Sequence, residues 1–230
     1  MKLLLENWRK YLTEGEQNKK IFVLVGPPSI GKSTWIKNTF EETPYIINRD
    51  DIAESVASEY GWTYDDMFSS PPPGSTVGEK DSKYGKVIES PSWMTWQPLS
   101  FDKVIEANNK VQDLFSQKVA GAVPSGLDIV IDMTNMNSGA RARALESVEG
   151  REEEYEKIAV DFKFEGAEEL IKKVAHNRTE TAKRMGKSKT IPPAAFDRMF
   201  KAYEKPSPAE GFDQIVDVDN RDLLKDLANS

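Results

Sequence analysis

The sequence predicts an α/β fold built on a five-stranded parallel sheet, and three observations carry that expectation. An apolar run, Ile21–Val25, leads directly into Gly26-x-x-x-x-Gly31-Lys32-Ser33. Four more short segments, at 45–48, 127–133, 158–164 and 212–218, read as strands, with apolar residues alternating in 158–164. Segments with helical spacing of apolar residues separate them, the alternation that builds a parallel sheet covered by helices.

The glycine–lysine pattern is a phosphate-binding loop, or P-loop, in its expected place between a strand and a helix. Such a loop wraps a phosphate chain with backbone N–H groups, so Gly26 and Gly31 supply close approach and unusual dihedrals. Lys32 offers a point positive charge to the β- and γ-phosphates, and Ser33 a hydroxyl to Mg²⁺. The helix opening near Gly31 aims its positive end at the anion. Ser29 and Thr34 complete the expected nucleotide contacts. Pro27 and Pro28 stiffen the loop and remove two N–H donors. The fold class expected is a P-loop NTPase three-layer sandwich with a five-stranded parallel sheet, a helical lid and an inserted loop-rich segment. ATP and Mg²⁺ are the expected cofactors.

The chain has 230 residues and a mass of 25.9 kDa, enough for one well-buried core with an inserted subdomain. It contains no cysteine, so a disulfide framework and a thiolate zinc site are excluded. No apolar stretch approaches the roughly 20 residues that span a bilayer, and a soluble, cytoplasmic protein without a membrane partner is expected. The net charge of −7 and pI near 5.0 oppose a broad electropositive surface, so any nucleic-acid contact should be local.

Residues 1–19 read as an amphipathic helix, with Leu4, Trp8, Tyr11 and Leu12 on one face, running into a polar linker. Packing on the domain and detachment as a leader both stay open. A helix from about Lys32 to Glu42 follows the P-loop, and Tyr45–Asn48 is the second strand. That strand runs into Arg49-Asp50-Asp51, two carboxylates where a strand gives way to a helix, the ligand-facing edge of an open parallel sheet. One carboxylate can be a helix cap; two exceed that need.

Residues 61–100 contain Pro71-Pro72-Pro73-Gly74 and the aromatics Trp62, Tyr64, Phe68, Trp93 and Trp96, and read as an insertion. The aromatics suit a satellite core or base stacking. A helix over 101–119 precedes Leu127–Met133, the third strand, which delivers Asp132, Thr134 and Asn135 to the same edge. Asp132 takes the place of a Walker B acid and, with Ser33, of a metal ligand. Helices at 138–149, 167–182, 192–203 and 221–228 surround the last two strands. The basic run Arg178, Lys183, Arg184, Lys187 and Lys189 reverses the sign of the chain and reads as a phosphate-facing lid over 176–191. His176 reads as a surface helix residue.

The segments GPPSIGKSTW, YIINRDD and DMTNMN, with the basic run and the Ile191-Pro192-Pro193 helix ending at Tyr203, resemble the P-loop 5′-hydroxyl polynucleotide kinases. That family is typified by the kinase half of the bacteriophage polynucleotide kinase–phosphatase. The resemblance covers residue 20 to about 205, the insertion excepted. It implies a phosphotransferase in which Lys32 and Ser33 handle ATP and Mg²⁺, and Asp50 is the general base for the attacking hydroxyl. Arg184 would be the lid arginine, with Arg178 a second candidate. Arg49, Asp51, Asp132, Thr134 and Asn135 would face the substrate, a single-stranded or short nucleic-acid end.

Two positions depart from the family pattern. Ala53 stands where the family has a substrate-binding arginine, and Asp132 lies one residue before the family's aspartate, with Met133 in its place. No Asp-x-Asp-Gly motif is present, so phosphatase activity is not expected. Leu12-Thr13-Glu14 resembles the cleavage site of phage capsid-targeting leaders, which would make the cytoplasm the host's. The domains expected are 1–19, helix or leader, and 20–230, the kinase domain. A kinase of a nucleoside or other small hydroxyl compound, and a non-catalytic packaged nucleotide-binding protein, are the two alternatives.

Overall fold

The computed structural model describes residues 19–68, 76–77, 85–90, 93–151, 154–185 and 189–229, with the side chains of 69–98 and 101 outside the description. Of the expected helix or leader at 1–19, residues 1–18 lie outside it, as do Lys187 and the side chains of Trp93 and Trp96. Two compact units are present. One takes the described parts of Met1–Asn48, Lys118–Arg178 and Ile191–Ser230; the other is Arg49–Gln117 with Thr179–Thr190.

The first unit is organised on β1 (Lys19–Val25), which starts inside the stretch expected to be linker. Its five-stranded sheet has the spatial order β2 (Tyr45–Ile47), β6 (Ile129–Ile131), β1, β7 (Tyr155–Lys163) and β8 (Gln214–Asp219). Every pairing is parallel, with Val23 opposite both Ile131 and Ala159, and Ile47 opposite Ile131. The chain is therefore a P-loop NTPase fold of the α/β class. Ile21 to Val25 are fully buried, as the continuous apolar run requires of a strand covered on both faces. Phe22, Leu24, Val130, Ile158, Val160 and Phe162 form the centre of the core, with Trp35, Ile171, Phe196 and Leu224 contributed by covering helices.

These helices are α1 (Lys32–Thr39), α5 (Ser138–Leu145), α6 (Glu168–Arg184), α7 (Pro193–Lys201) and α8 (Arg221–Asn229), with α6 passing into the second unit at Thr179. Most lie within a few residues of expectation. Helix α5 is shorter: after Leu145 the chain tightens into a 3₁₀ turn at Glu146–Val148. His176 is exposed on α6.

The second unit holds α2 (Arg49–Glu59), α3 (Tyr64–Phe68) and most of α4 (Phe101–Ala120). Ala53, Val56, Ala57, Met67, Ala107 and Val111 form its own small core, with Trp62 and Tyr64 packed against it. For those two aromatics the satellite-core role applies. Where the sequence suggests loops, residues 76–98 supply a three-stranded sheet in the order β3 (Thr76–Val77), β5 (Trp93–Pro98), β4 (Gly85–Ser90). The β4–β5 pair is an antiparallel hairpin, and its proline- and glycine-rich surroundings hid it from periodicity. Among the described residues no helix is long and apolar enough to cross a membrane.

Candidate active site

The parallel register sets the ends of β1, β2 and β6 along one edge of the sheet, and the P-loop is built there. A side chain at Gly26 would be crowded, because a Cβ would stand 3.0 Å from Phe162 Cβ and 3.3 Å from Ile30 Cγ2. Its N–H donates to the Thr134 carbonyl at 2.9 Å, tying the loop after β6 to the P-loop. Gly26 was expected among the phosphate contacts; its N–H is committed to this internal bond, so its part is to let the backbone approach. Ser29 takes a left-handed conformation with φ of 65°. Gly31 has φ of 100°, and a Cβ there would meet Asn220 Nδ2 at 2.7 Å.

Gly31 is also the N-cap of α1, and no side chain caps that helix. The N–H groups of its first turn are thus not satisfied by a capping side chain, and this is the geometry a phosphate completes. Lys32 Nζ donates to the Gly26 and Pro27 carbonyls at 2.8 and 3.3 Å. Its positive end is held against the loop it serves. Ser33 is exposed and Thr34 half-buried in the same turn.

Asp132 follows β6, and its N–H donates to the Ile47 carbonyl at 2.9 Å. Its Oδ2 accepts a long bond of 3.4 Å from Asn48 Nδ2, which joins the ends of β2 and β6. Ser33 and Asp132 fit a Mg²⁺ bound with phosphates, since that ion takes only one or two protein oxygens when phosphates and waters supply the rest. The glycine cradle and the uncapped α1 fit the triphosphate.

Asn135 corrects the sequence reading. Expected to face substrate, it is buried, with φ of 45°, and its amide donates to the Leu24 carbonyl at 2.9 Å. Its carbonyl accepts from Arg141 at 3.1 Å. Arg141 is fully buried and pairs through two nitrogens with Glu210, at 2.7 and 2.9 Å, while donating also to the Glu204 carbonyl. That arginine holds Glu210 below the usual glutamate range. The sequence shows residues 138–149 only as a helix. The missed signal was Arg141 lying three positions before Ala144, on the face that α5 buries.

Asp161 was also missed. It lies opposite Val25 on β7, fully buried, accepting from the Tyr203 hydroxyl at 2.8 Å and from Lys163 at 2.6 Å. Burial and that bond raise the Tyr203 phenol. Arg178 is exposed on α6.

In the second unit, Arg49, Asp50 and Asp51 are exposed and form the first turn of α2. Neither aspartate is the cap itself; both complement the positive helix end. The Tyr64 hydroxyl donates to Asp50 Oδ1 at 3.3 Å, and Lys189 lies 3.2 Å from Oδ2. Ala53 is buried in the unit's core. Arg184 is exposed in the last turn of α6, where a cation also suits the helix dipole.

A family described as AAA domain, AAA_33, matches residues 21–206. No curated protein matches the chain. Among solved structures, a candidate kinase from Chloroflexus aurantiacus is similar at a TM-score of 0.50 and 11% identity, covering 94% of each chain. A structure of the PezAT chromosomal toxin–antitoxin system of Streptococcus pneumoniae aligns at 11% identity and a TM-score of 0.42, over 99% of this chain and 93% of that one. The first of these likenesses concerns the fold.

Proposed function

We propose that this chain, which belongs to the AAA_33 family of AAA domains, is an ATP-dependent phosphotransferase acting on the 5′-hydroxyl of a DNA or RNA end. The observation that carries the reading is the chain's course after β2. That strand ends beside Asp132, at the edge where the P-loop is built, and three residues later Asp50 stands in the first turn of α2. A P-loop alone suits many nucleotide-binding proteins; a carboxylate delivered from the neighbouring strand supports transfer to a hydroxyl.

The chain's own groups divide the work. Lys32 and the first turn of α1 bind and orient the phosphates, and Asp50 orients the hydroxyl and takes up its proton as the oxygen attacks. Arg184 and Arg178 balance charge on the transferred group. Ser33 and Asp132 would hold a Mg²⁺ ion, which when bound would supply further neutralisation of phosphate charge. Arg49 and Asp51 stand next to Asp50 as substrate contacts, and Thr134, whose carbonyl is used by Gly26, retains a side chain for the same role.

A second reading, a kinase of a nucleoside or another small hydroxyl compound, is favoured by Ala53. That position lies in the core of the second unit at 1% exposure, and alanine there offers no cation to a substrate phosphate. One assay separates the readings. The protein is incubated with γ-labelled ATP and either a 5′-hydroxyl oligonucleotide or a panel of nucleosides. Label on the oligonucleotide alone supports the first reading, and label on a nucleoside alone overturns it. Nucleotide binding with no labelled acceptor points to the packaged, non-catalytic protein.

A further inference from the structure

Lys189, in the basic run after α6, has a set of partners that phosphate binding does not explain. Its Nζ lies 2.8 Å from Glu54 Oε1 and 3.2 Å from Asp50 Oδ2, and 4.9 Å from the centre of the Tyr64 ring. The backbone around it is pinned as well. Thr190 N–H donates to Asp65 Oδ1 at 2.7 Å, and the Lys189 carbonyl accepts from the Thr179 hydroxyl at 3.2 Å. All these residues belong to the second unit.

Asp50 and Glu54 are four residues apart on α2, so they share a face and repel. One ammonium between them removes that repulsion, and if this were all, the pair would be a surface contact of little consequence. Two observations go further. The Lys189 side chain is only 31% exposed, which a solvated cation would not be. The carboxylate is also held from its other oxygen by Tyr64, whose phenol is pushed up to about 12, first by burial and then by the charge of Asp50. Tyr64 is therefore a permanent donor at neutral pH. A carboxylate accepts at both oxygens, so an ammonium on one oxygen and a phenol on the other fix its plane.

We propose that Lys189 is the positioning residue for Asp50: it clamps the carboxylate from Oδ2 while Tyr64 holds Oδ1, and so ties the basic segment to the group that receives the acceptor hydroxyl. The inference rests on the reading of Asp50 given above. A lysine aimed at ATP would act on nucleotide affinity; a lysine aimed at Asp50 acts on the transfer step, after both substrates are bound.

The test uses the full chain with Lys189→Met, Lys189→Arg, Tyr64→Phe and Glu54→Gln. Single-turnover transfer to a 5′-hydroxyl oligonucleotide, ATP affinity and melting temperature are measured for each. Lys189→Met should slow transfer at least tenfold with ATP affinity changed less than twofold, and Lys189→Arg should recover most of that loss. Tyr64→Phe should slow transfer severalfold, whereas Glu54→Gln, which leaves the contact with Asp50, should stay within threefold of the parent. Normal transfer by Lys189→Met overturns the inference, as does a loss confined to ATP affinity, or an equal loss in the arginine variant. Asp50→Asn separates the two failures. If it retains transfer, the reading of Asp50 falls; if it loses transfer while Lys189→Met is normal, only the clamp falls.

Discussion

At the scale of single residues, the P-loop was legible because its chemistry dictates residue type at fixed spacing. At Gly26 and Gly31 a Cβ would crowd Phe162 and Asn220, so glycine there also lets the loop lie close against β7 and the residue that precedes α8. Asn135 was misread because the sequence cannot distinguish a polar side chain aimed at a ligand from one spent on the backbone of a neighbouring strand. Lys32→Ala should abolish transfer and weaken ATP binding, since a charge-assisted contact is lost and no other cation lies in the loop; nucleotide titration checks this, and unchanged turnover would sink the P-loop assignment. Asp50→Asn should keep fold and ATP affinity while losing transfer. Asp51→Asn is the companion variant, and a slow Asp51 enzyme beside a normal Asp50 enzyme would mean that the wrong carboxylate has been named.

Among the elements, strands β1, β2, β6, β7 and β8 were all readable; β1 and β6, buried along nearly their whole length, leave no polar alternation to confuse the reading, whereas the edge strand β8 alternates, with Asp217 and Asp219 exposed on either side of Val218. The hairpin of β4 and β5 was not readable, since strands set among prolines and glycines carry a weak signal. Helix α8 was visible as a helix but not as a support. Asn220, immediately before it, is buried and donates to the Ile30 carbonyl at 3.0 Å, and its own carbonyl accepts from Leu224 N–H. The terminal helix thereby holds the P-loop from behind. Asn220→Ala leaves the Ile30 carbonyl without that donor, so a loss of about 1–3 kcal/mol in stability is expected, together with weaker ATP binding. Urea unfolding and nucleotide titration measure both; a loss of stability with unchanged affinity would show that the loop does not depend on its rear contact. Arg184→Ala tests the lid, with kcat expected to fall by about 10²–10³, as for loss of one preorganised donor, and Arg178→Ala milder.

For the whole molecule, the sequence gives 31 basic against 38 acidic residues, but that balance does not reveal which carboxylates are committed to partners. The structure does. Glu210 is lowered chiefly by its bond to Arg141, and Asp219 is lowered to about 2 chiefly by its bond to Arg221. A carboxylate whose folded pKa lies below its unfolded value adds stability above the unfolded value and loses it as pH falls through the folded one. The unfolded references are 4.5 and 3.8 for these two groups. Asp128 has the opposite sign: burial raises it, so protonation relieves a cost and partly offsets the acid loss. Stability should therefore hold from neutral pH to about 5 and decline below 4.5, with the contribution of Asp219 the last to go, near pH 2. Glu210→Gln removes the group titrating against the fully buried Arg141 and leaves that cation unpaired, at a cost of about 3–5 kcal/mol at neutral pH. The variant's stability should then vary less steeply between pH 5 and 3 than the parent's, while Arg221→Ala should lower stability by a small constant amount above pH 4 and flatten only the lowest part of the curve. Urea midpoints across this range decide it: a Glu210→Gln curve parallel to the parent's would mean that the Arg141–Glu210 pair is not what links stability to acid.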